Sequence, residues 1–331
     1  MKELIKSFVE AYGPSGNEEQ VREVIAKAVK PYVDEVYTDA LGNLIAVKKG
    51  TGKGKRIMVS GHMDEIGLMV IHIDDKGFIR FGNVGGQNPV TLMGCRVRFA
   101  NGTQGVIGSE RVDDVKDLRL EKLFIDIGAA TKADAEKKVK IGDVAIFDYP
   151  FTDLGDVLVA KAMDDRIACA VMVAAAKEMK KSPNDVHFVF SVQEEVGLRG
   201  ARTAAYGVDP EIGIALDVCP VGDTPKARTL AVSLGKGAAI KIKDASVICH
   251  PKVVDLLTQV ANKNKVVSQR EVLEAGGTDT GAIHLNKAGV PSGCISIPTR
   301  YLHGPSEMVN YKDVLECVML LTKTLESKID F

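Results

Sequence analysis

The sequence predicts an α/β protein in which a three-layer α/β/α domain is interrupted by a β-rich insert. Strand-like and helix-like segments alternate at both ends of the chain, whereas residues 67–155 contain short alternating runs separated by turns. With 331 residues, the chain can form one large core or two moderate ones. We therefore expect residues 1–66 and 156–331 to form one domain and residues 67–155 to form an inserted second domain.

The first segment has the pattern of two helices followed by two strands. The stretch MKELIKSFVEAYG has the spacing of an amphipathic helix and contains Glu3 and Glu10, so we do not interpret it as a signal peptide. In GPSGNEEQVREVIAKAV, a turn and a predicted cap at Asn17 precede a second apolar-periodic helix. LGNLIAVKK and KRIMVSG are then typical of strands.

The insert has the pattern of an all-β unit. Its apolar positions alternate with polar ones, and Asp-Lys-Gly and Asn-Gly turns separate the runs GLMVIHIDDKGFIRFGNVGG, RVRFANGTQGVIGS, KLFIDIG and IGDVAIFDY. From about residue 156 strands and helices alternate again. The helices are DDRIACAVMVAAAKEMKK, PKVVDLLTQVANKNK and YKDVLECVMLLTKTLESK, and the strands are VHFVFSV, EIGIALDV and SGCISIP.

The composition narrows the possible partners and the compartment. The 43 basic and 44 acidic side chains nearly cancel, so there is no electrostatic reason to expect nucleic acid or an anionic membrane as a partner. No segment approaches the length of a membrane span. The six cysteines are scattered, often in apolar runs, and none is spaced C-x-x-C. We interpret them as buried thiols of a reducing compartment, which predicts a cytoplasmic protein.

Two histidines and several carboxylates stand where the predicted α/β strands end or where the helix after the insert begins. The set comprises His62, Asp64, Glu65, Asp164, Asp165, Glu194, Glu195, Asp217 and His303. Because ligands of open α/β sheets bind outside the carboxyl ends of the strands, we expect these side chains to converge on one rim. By contrast, we interpret His72, His187, His250 and His284 as structural residues.

The adjacent pair Glu194–Glu195 follows an apolar strand, where two carboxylates are costly to desolvate without a cation. Imidazole and carboxylate ligands suit a divalent ion such as zinc, cobalt or manganese. The number of acidic groups suggests a pair of ions, which requires a bridging carboxylate. We therefore predict that one glutamate binds metal and that its neighbour transfers a proton.

Seven motifs occur in order over nearly the whole chain: GHMDEIG, AMDDRIA, VQEEVGLRGA, ALDV, GDTP, AGGTDTGAIH and YLHGPSE. Each motif alone is weak, but the ordered set is specific. The chain resembles the TET-type dinuclear metallo-aminopeptidases, the family of glutamyl and deblocking aminopeptidases and of proteins labelled CelM endoglucanase. The resemblance implies a barrel-like insert that serves in dimerisation, with dimers that build a hollow tetrahedral dodecamer.

The resemblance also implies a role for each site residue. Asp164 would bridge two metal ions, although Asp165 is an alternative ligand or a helix cap. His62 and Asp217 would hold one ion, and Glu195 and His303 the other. Glu194 would be the general base, and Asp64 would hydrogen-bond His62 from behind to fix its tautomer.

We therefore expect a cytoplasmic aminopeptidase that acts on short peptides with two zinc, cobalt or manganese ions per subunit. We expect residues after Asp217, such as Cys219, and residues around GGTDT to line the first specificity pocket. No lone charged residue stands out there, which favours neutral N-terminal residues such as leucine or methionine. Residues 276–281, GGTDTG, form either a wall of that pocket or an ordinary capped turn. Two alternatives remain. One is a glycoside hydrolase, because paired carboxylates also serve that chemistry, and the other is a non-catalytic scaffold of the same fold.

Overall fold

The computed structural model describes residues 1–331 and confirms the predicted fold class, an α/β protein with a β-barrel. The α-helices are α1 Lys2–Glu10, α2 Glu19–Val29, α3 Pro89–Leu92, α4 Lys132–Glu136, α5 Met163–Glu178, α6 Arg199–Val208, α7 Pro251–Asn264, α8 Thr280–Ile283 and α9 Tyr311–Leu325. Short 3-10 helices cover Lys30–Tyr32, Val115–Asp117 and Leu120–Lys122.

The strands belong to a large sheet and to a separate barrel. The large sheet contains β1 Glu35–Thr38, β2 Leu44–Lys48, β3 Arg56–His62, β10 Thr152–Asp153, β11 Val157–Ala160, β12 Asp185–Ser191, β13 Ile212–Pro220, β14 Ala238–Lys243, β15 Ser268–Val272, β16 Ser292–Arg300 and β17 Glu307–Asn310. The barrel contains β4 Gly67–Ile73, β5 Ile79–Val84, β6 Arg96–Phe99, β7 Gln104–Ser109, β8 Leu123–Asp126 and β9 Val144–Phe147.

The centre of the large sheet is parallel, in the order β12-β3-β13-β16. These strands are almost entirely buried, as expected for parallel strands with helices on both faces. Helices α1, α2, α5, α7 and α9 cover one face through the main core of 52 buried residues. Helices α6 and α8 cover the other face through a smaller core of ten. The parallel arrangement places the carboxyl ends of the four central strands at one edge.

The barrel is closed, with its strands in the order β4-β5-β8-β7-β6-β9. It has its own core of 19 buried residues, and the main core contains no residue of these strands. Closure pairs both edges of the sheet, so that no edge strand is left open. After the barrel the chain returns to the large sheet, where β10 and β11 form its last strands next to β17. The last barrel strand ends at Phe147, and β10 already belongs to the large sheet, so the barrel is shorter than the expected insert of residues 67–155.

Two features of the first segment differ from the sequence interpretation. Strand β1 forms an additional edge of the large sheet, paired antiparallel with β2. The predicted cap at Asn17 is wrong, because α2 begins at Glu19 and its capping position is Glu18. The buried Glu18 carboxylate instead accepts hydrogen bonds from the backbone N–H groups of Gly16 and Gln193.

Two further observations concern the whole chain. All six cysteines are buried and unpaired. None of the helices combines the length and the apolar character that crossing a bilayer requires.

Candidate metal centre

The parallel strands deliver most of the predicted site residues to one edge of the sheet. His62 is the last residue of β3 and lies in register with Ser191, the last residue of β12. Glu194 and Glu195, which come shortly after β12, therefore lie beside His62. Asp217 lies in the carboxyl half of β13, the strand on the other side of β3. Topology thus explains why residues so far apart in sequence share one site.

Asp164 reaches the same place from the amino end of α5. Its Oδ1 lies 3.0 Å from Nε2 of His62, and its Oδ2 lies 3.3 Å from Nε2 of His303. The carboxylate is buried, and the peptide bond that joins it to Asp165 is cis. One carboxylate therefore points an oxygen at each of two histidines, as a residue that bridges two ions must do.

Two groups of potential ligand atoms overlap at His62. His62, Asp164 and Glu195 form one group, and His62, Asp165 and Asp217 form the other, with the ligand atoms of each group within 4.8 Å of one another. His303 is outside both groups but contacts two members of the first, because its Nε2 lies 3.3 Å from Oδ2 of Asp164 and 3.5 Å from Oε2 of Glu195. The structure thus brings together all five residues expected to hold metal: His62, Asp164, Glu195, Asp217 and His303.

His303 is oriented by the barrel side of the molecule. Its Nδ1 lies 2.7 Å from the carbonyl oxygen of Gly86, in the loop after β5. An N–H at Nδ1 can donate to this carbonyl, which leaves Nε2 with a lone pair directed towards Asp164 and Glu195. The contact joins the two structural units at the site itself.

Asp64 lies behind the site and is completely buried. Nδ1 of His62 lies 3.2 Å from the backbone carbonyl oxygen of Asp64, its hydrogen-bond partner, and 3.4 Å from the side-chain Oδ1. The Asp64 carboxylate accepts a 2.6 Å hydrogen bond from the hydroxyl of Ser15. The two oxygens also accept from the backbone N–H groups of Glu194 and Glu195, at 3.1 and 3.3 Å. Asp64 therefore contacts both the histidine and the glutamate loop.

The pKa values show how strongly the carboxylates disfavour one another. Burial raises the pKa of Glu195 to about 8, and the charge of Asp164 adds to the shift. Burial also raises the pKa of Glu194 well above its usual value, with a contribution from the charge of Glu195. Burial alone would lower the pKa of His303, but its hydrogen bond to Asp164 and the charge of Glu195 raise that pKa to about 10. The carboxylates thus raise the proton affinity of a neighbouring histidine, so the cluster stabilises positive charge.

Unpaired oxygen atoms give an independent test of whether these residues suit a metal ion. Oδ1 of Asp165, Oε1 of Glu195 and Oδ1 of Asp279 are buried without any hydrogen-bond partner. Buried polar atoms are normally paired, and buried carboxylate oxygens next to imidazole nitrogens are the ligands that zinc and related ions take. The residues present therefore fit divalent ions.

Three acidic residues make contacts at the site that the sequence analysis did not predict. Asp165 joins His62 and Asp217, so it is a second candidate ligand beside Asp164. Asp279 accepts hydrogen bonds from the hydroxyls of two serines under the site, and Glu307 accepts from the backbone of Asp164. All three residues belong to motifs noted in the sequence, AMDDRIA, AGGTDTGAIH and YLHGPSE. The spacing within these motifs does not show which carboxylates point towards the site.

A cavity of about 1330 Å³ opens over the site. Asp164, Glu194, Glu195, Asp217 and His303 line its base, and Gly86, Gln87, Asn88 and Thr91 line it from the barrel side. Residues 276–278 of the GGTDTG stretch line another wall. The cavity is large enough to admit a short peptide. Of the histidines interpreted as structural, none lines it.

The fold and the site together define the class of metal-dependent peptidases. The M42 glutamyl aminopeptidase family matches residues 42–320. The chain belongs to the M42 glutamyl aminopeptidase family, and its class is therefore that of the aminopeptidases. This result confirms the resemblance indicated by the seven motifs.

Relatives and solved structures agree with this assignment. The chain is 52% identical over 326 residues to a protein of Acetivibrio thermocellus that is inferred to be an aminopeptidase, with 98% of each chain covered. The solved aminopeptidase APDkam598 from the archaeon Desulfurococcus kamchatkensis superimposes with a TM-score of 0.95 at 40% identity, over 98% of this chain and 94% of that one. The TET1 peptidase of Pyrococcus horikoshii, which can assemble into a tetrahedron or a large octahedral shell, gives a TM-score of 0.87 at 34% identity, over 98% of each chain.

Proposed function

We propose that this chain is a two-metal aminopeptidase that removes N-terminal residues from short peptides, with Glu194 as the general base. The observation that carries the proposal is the position of Asp164, whose two oxygens face His62 and His303. With Asp164 as the bridge, His62 and Asp217 would complete one ion site, and Glu195 and His303 would complete the other. Zinc, cobalt and manganese all suit this ligand set.

Divalent ions bound here would polarise the scissile carbonyl and lower the pKa of water. The chain itself must move the proton. Oε2 of Glu194 lies 3.8 Å from Nε2 of His62, and Glu194 belongs to neither group of potential ligand atoms. Its carboxylate lines the cavity, so it can accept the proton of the attacking water and pass it to the leaving amine.

Asp64 and Gly86 would keep the two histidines in the orientation that binding requires. Each contacts Nδ1 of one histidine and leaves Nε2 directed into the centre. Ligand rings held in this way need less reorganisation when an ion binds. This arrangement supports a role of Asp64 in the reaction without direct contact to substrate.

Neutral N-terminal residues such as leucine or methionine remain our prediction for the first specificity pocket. The apolar residues Val218, Pro220, Leu230, Val272 and Leu273 line the cavity beyond Asp217, and the charged residues Arg228 and Glu274 line it as well. Cys219, which the sequence placed in this wall, is buried and does not line the cavity. Lys241 also reaches the cavity, but it forms a buried ion pair with Glu271 and lies 3.5 Å from Asp244. Since its charge is already compensated, Lys241 does not offer a free partner for an acidic substrate side chain.

The barrel would carry assembly, as the domain organisation implies. It encloses its own core, yet Met69, Ile71 and Val106 on its strands leave 36, 57 and 47% of their surface exposed. Met69 and Ile71 lie two positions apart on β4, so they form a small apolar surface that suits a subunit interface, whereas Val106 lies apart from them on β7. The TET1 peptidase described above assembles into closed particles, which supports a dimer-based dodecamer here. The six buried thiols fit a cytoplasmic location.

The glycoside hydrolase alternative receives less support from the geometry. Retaining and inverting glycosidases need two carboxyl groups on opposite sides of a sugar bond, about 5 to 9.5 Å apart. Here Glu194 and Glu195 share their surroundings with two histidines, which glycoside hydrolysis does not require. A scaffold without activity has no evident need for the complete ligand set.

A substrate panel tests the proposal. Aminoacyl-p-nitroanilides and carboxymethylcellulose are incubated with protein loaded with zinc, cobalt or manganese, with and without a chelator. We expect chelator-sensitive release of p-nitroaniline, fastest for leucine or methionine, and no release of reducing sugar. Reducing sugar without any peptidase activity would support the glycosidase, and no activity with any metal would support the scaffold.

A further inference from the structure

We propose that Glu307 is a positioning residue that sets the affinity of the centre for divalent ions by holding the backbone of Asp164 and His303. The proposal rests on the metal centre described under the proposed function. It assigns Glu307 no contact with substrate and no place among the ligands.

The Glu307 carboxylate is shared between the two ligand-bearing segments. Its Oε2 accepts a hydrogen bond from the backbone N–H of Asp164 at 2.9 Å, and its Oε1 accepts from the backbone N–H of His303 at 2.8 Å. Only 2% of the residue is exposed. Both oxygens thus accept from backbone groups, and both distances are those of well-formed N–H···O hydrogen bonds.

The position of Glu307 follows from the strand pairing. It is the first residue of β17 and pairs with Ala160, the last residue of β11, four positions before Asp164. The same strand pairs with the end of β16, which leads into the turn that contains His303. Glu307 therefore lies where the chain segments on either side of the centre come together.

Both segments need an external constraint. His303 has a left-handed backbone with φ 57°, and Ala162, just before α5, has φ 53°. A left-handed conformation is uncommon for residues other than glycine. Histidine adopts it more readily than alanine does, so the need for stabilising interactions is greater at Ala162 than at His303. A carboxylate that accepts from both segments fixes their separation, and with it the distance between the side chains of Asp164 and His303.

Asp64 accepts a similar pair of backbone hydrogen bonds on the other side of the centre. Its two oxygens accept from the backbone N–H groups of Glu194 and Glu195. Two buried carboxylates therefore hold the backbone of four site residues, two residues each. Asp64 also contacts His62, whereas Glu307 acts on the backbone alone, so a Glu307 variant isolates the effect of this constraint.

Asp313 provides a matched control for Glu307. It is also buried, with 1% exposed, and its carboxylate accepts from the backbone N–H groups of Gly235 and Gly237 at 2.6 and 2.7 Å. Neither glycine carries a ligand or lines the cavity over the centre. The substitutions Glu307→Gln and Asp313→Asn thus each remove one acceptor from a buried carboxylate that binds two backbone N–H groups. Only the Glu307 carboxylate binds the backbone of proposed metal ligands.

The test measures the dissociation constants of Zn²⁺ and Co²⁺ by competition with a chromophoric chelator, using full-length protein stripped of metal. We expect Glu307→Gln to weaken binding about 10–100-fold, the usual effect of removing a group that orients metal ligands. Asp313→Asn should leave affinity within about twofold, although both variants lose a buried hydrogen bond and should unfold at lower temperature. At saturating metal, the turnover of Glu307→Gln should recover towards wild type.

The outcomes separate this inference from the proposed function. If the wild-type protein binds neither Zn²⁺ nor Co²⁺, the proposed metal centre does not exist. Wild-type affinity in a folded Glu307→Gln protein, or equal losses in Glu307→Gln and Asp313→Asn, would overturn the role of Glu307. If Glu307→Gln does not fold, Glu307→Asp is measured instead. It keeps both acceptor oxygens on a shorter stem, and it should lose affinity several-fold, whereas unchanged affinity would again overturn the role.

Discussion

Nε2 of His303 lies 3.5 Å from Oε2 of Glu195, whereas the neighbouring Glu194 directs its Oε2 towards His62, at 3.8 Å from Nε2. Two glutamates that are adjacent in sequence therefore face two different histidines. Glu195 joins a group of potential ligand atoms and Glu194 does not. This division supports the different roles that we propose for the two residues.

Asp164→Asn should remove or strongly weaken both ions. An amide replaces the charged carboxylate that faces both histidines, so each site loses an anionic ligand at once. We would measure metal per subunit by plasma mass spectrometry after gel filtration. Asp156→Asn, at an exposed position outside the centre, is the control and should keep its metal. An Asp164→Asn protein with two tightly bound ions would show that Asp164 is not the bridge.

Asp64→Asn should reduce metal affinity or kcat/KM by about 10–100-fold. The amide cannot accept hydrogen bonds at both of its ends, so it would disturb the contacts to His62 and to the backbone of Glu194 and Glu195. Ser15→Ala is the control, because it removes a single hydrogen bond from the same carboxylate. We expect a much smaller loss in that protein. Unchanged kinetics in Asp64→Asn would exclude Asp64 from the site.

Removal of metal should lower the unfolding temperature. The buried carboxylates repel one another without a cation, and an ion present at about 1,000 times its Kd contributes roughly 4 kcal/mol to the free energy of unfolding. We would follow thermal unfolding by circular dichroism before and after chelation, and again after zinc is restored. Asp164→Asn protein should respond little to the chelator. A wild-type protein whose unfolding temperature is insensitive to the chelator would contradict metal binding at these residues.

Replacement of the barrel, residues 67–147, by a short linker should leave a smaller particle. The main core contains no residue of these strands, so the α/β domain should keep its fold, which circular dichroism can check. Light scattering then reports the mass of the assembly. A folded truncated protein that forms a particle with the same number of subunits as the full chain would show that the barrel does not direct assembly.

The sequence predicted the parts of the site that depend on the ends of parallel strands. His62 ends β3, and Glu194 and Glu195 follow β12, as the sequence indicated. Asp217 lies within β13, which continues to Pro220 instead of ending at Asp217. The parallel order of these strands is enough to bring the four residues together. The alternation of apolar residues also distinguished the insert from the rest of the chain. These features are local or periodic, so the sequence displays them directly.

Contacts between distant segments could not be predicted in this way. The carbonyl of Gly86 contacts His303 only because the barrel lies against the sheet, and no local pattern encodes that placement. Glu307 appears in sequence as one more polar residue of a loop, although it binds two backbone N–H groups on either side of the centre. The predicted cap at Asn17 is also wrong: α2 begins at Glu19, and Glu18 accepts a hydrogen bond from the backbone of the distant Gln193, a contact that no local pattern shows.

The most direct test of the proposed mechanism compares Glu194→Gln with Glu195→Gln. We would measure metal per subunit by plasma mass spectrometry and turnover across a metal titration. Glu194→Gln should keep both ions but lose about 10²–10⁴ in turnover, because the group that accepts the proton is gone. Glu195→Gln should lose one ion or bind it weakly, and excess metal should restore part of its activity. If Glu194→Gln is the variant that loses metal and is rescued by it, the two roles are reversed. If both variants keep two ions and full activity, these residues do not form a two-metal peptidase centre.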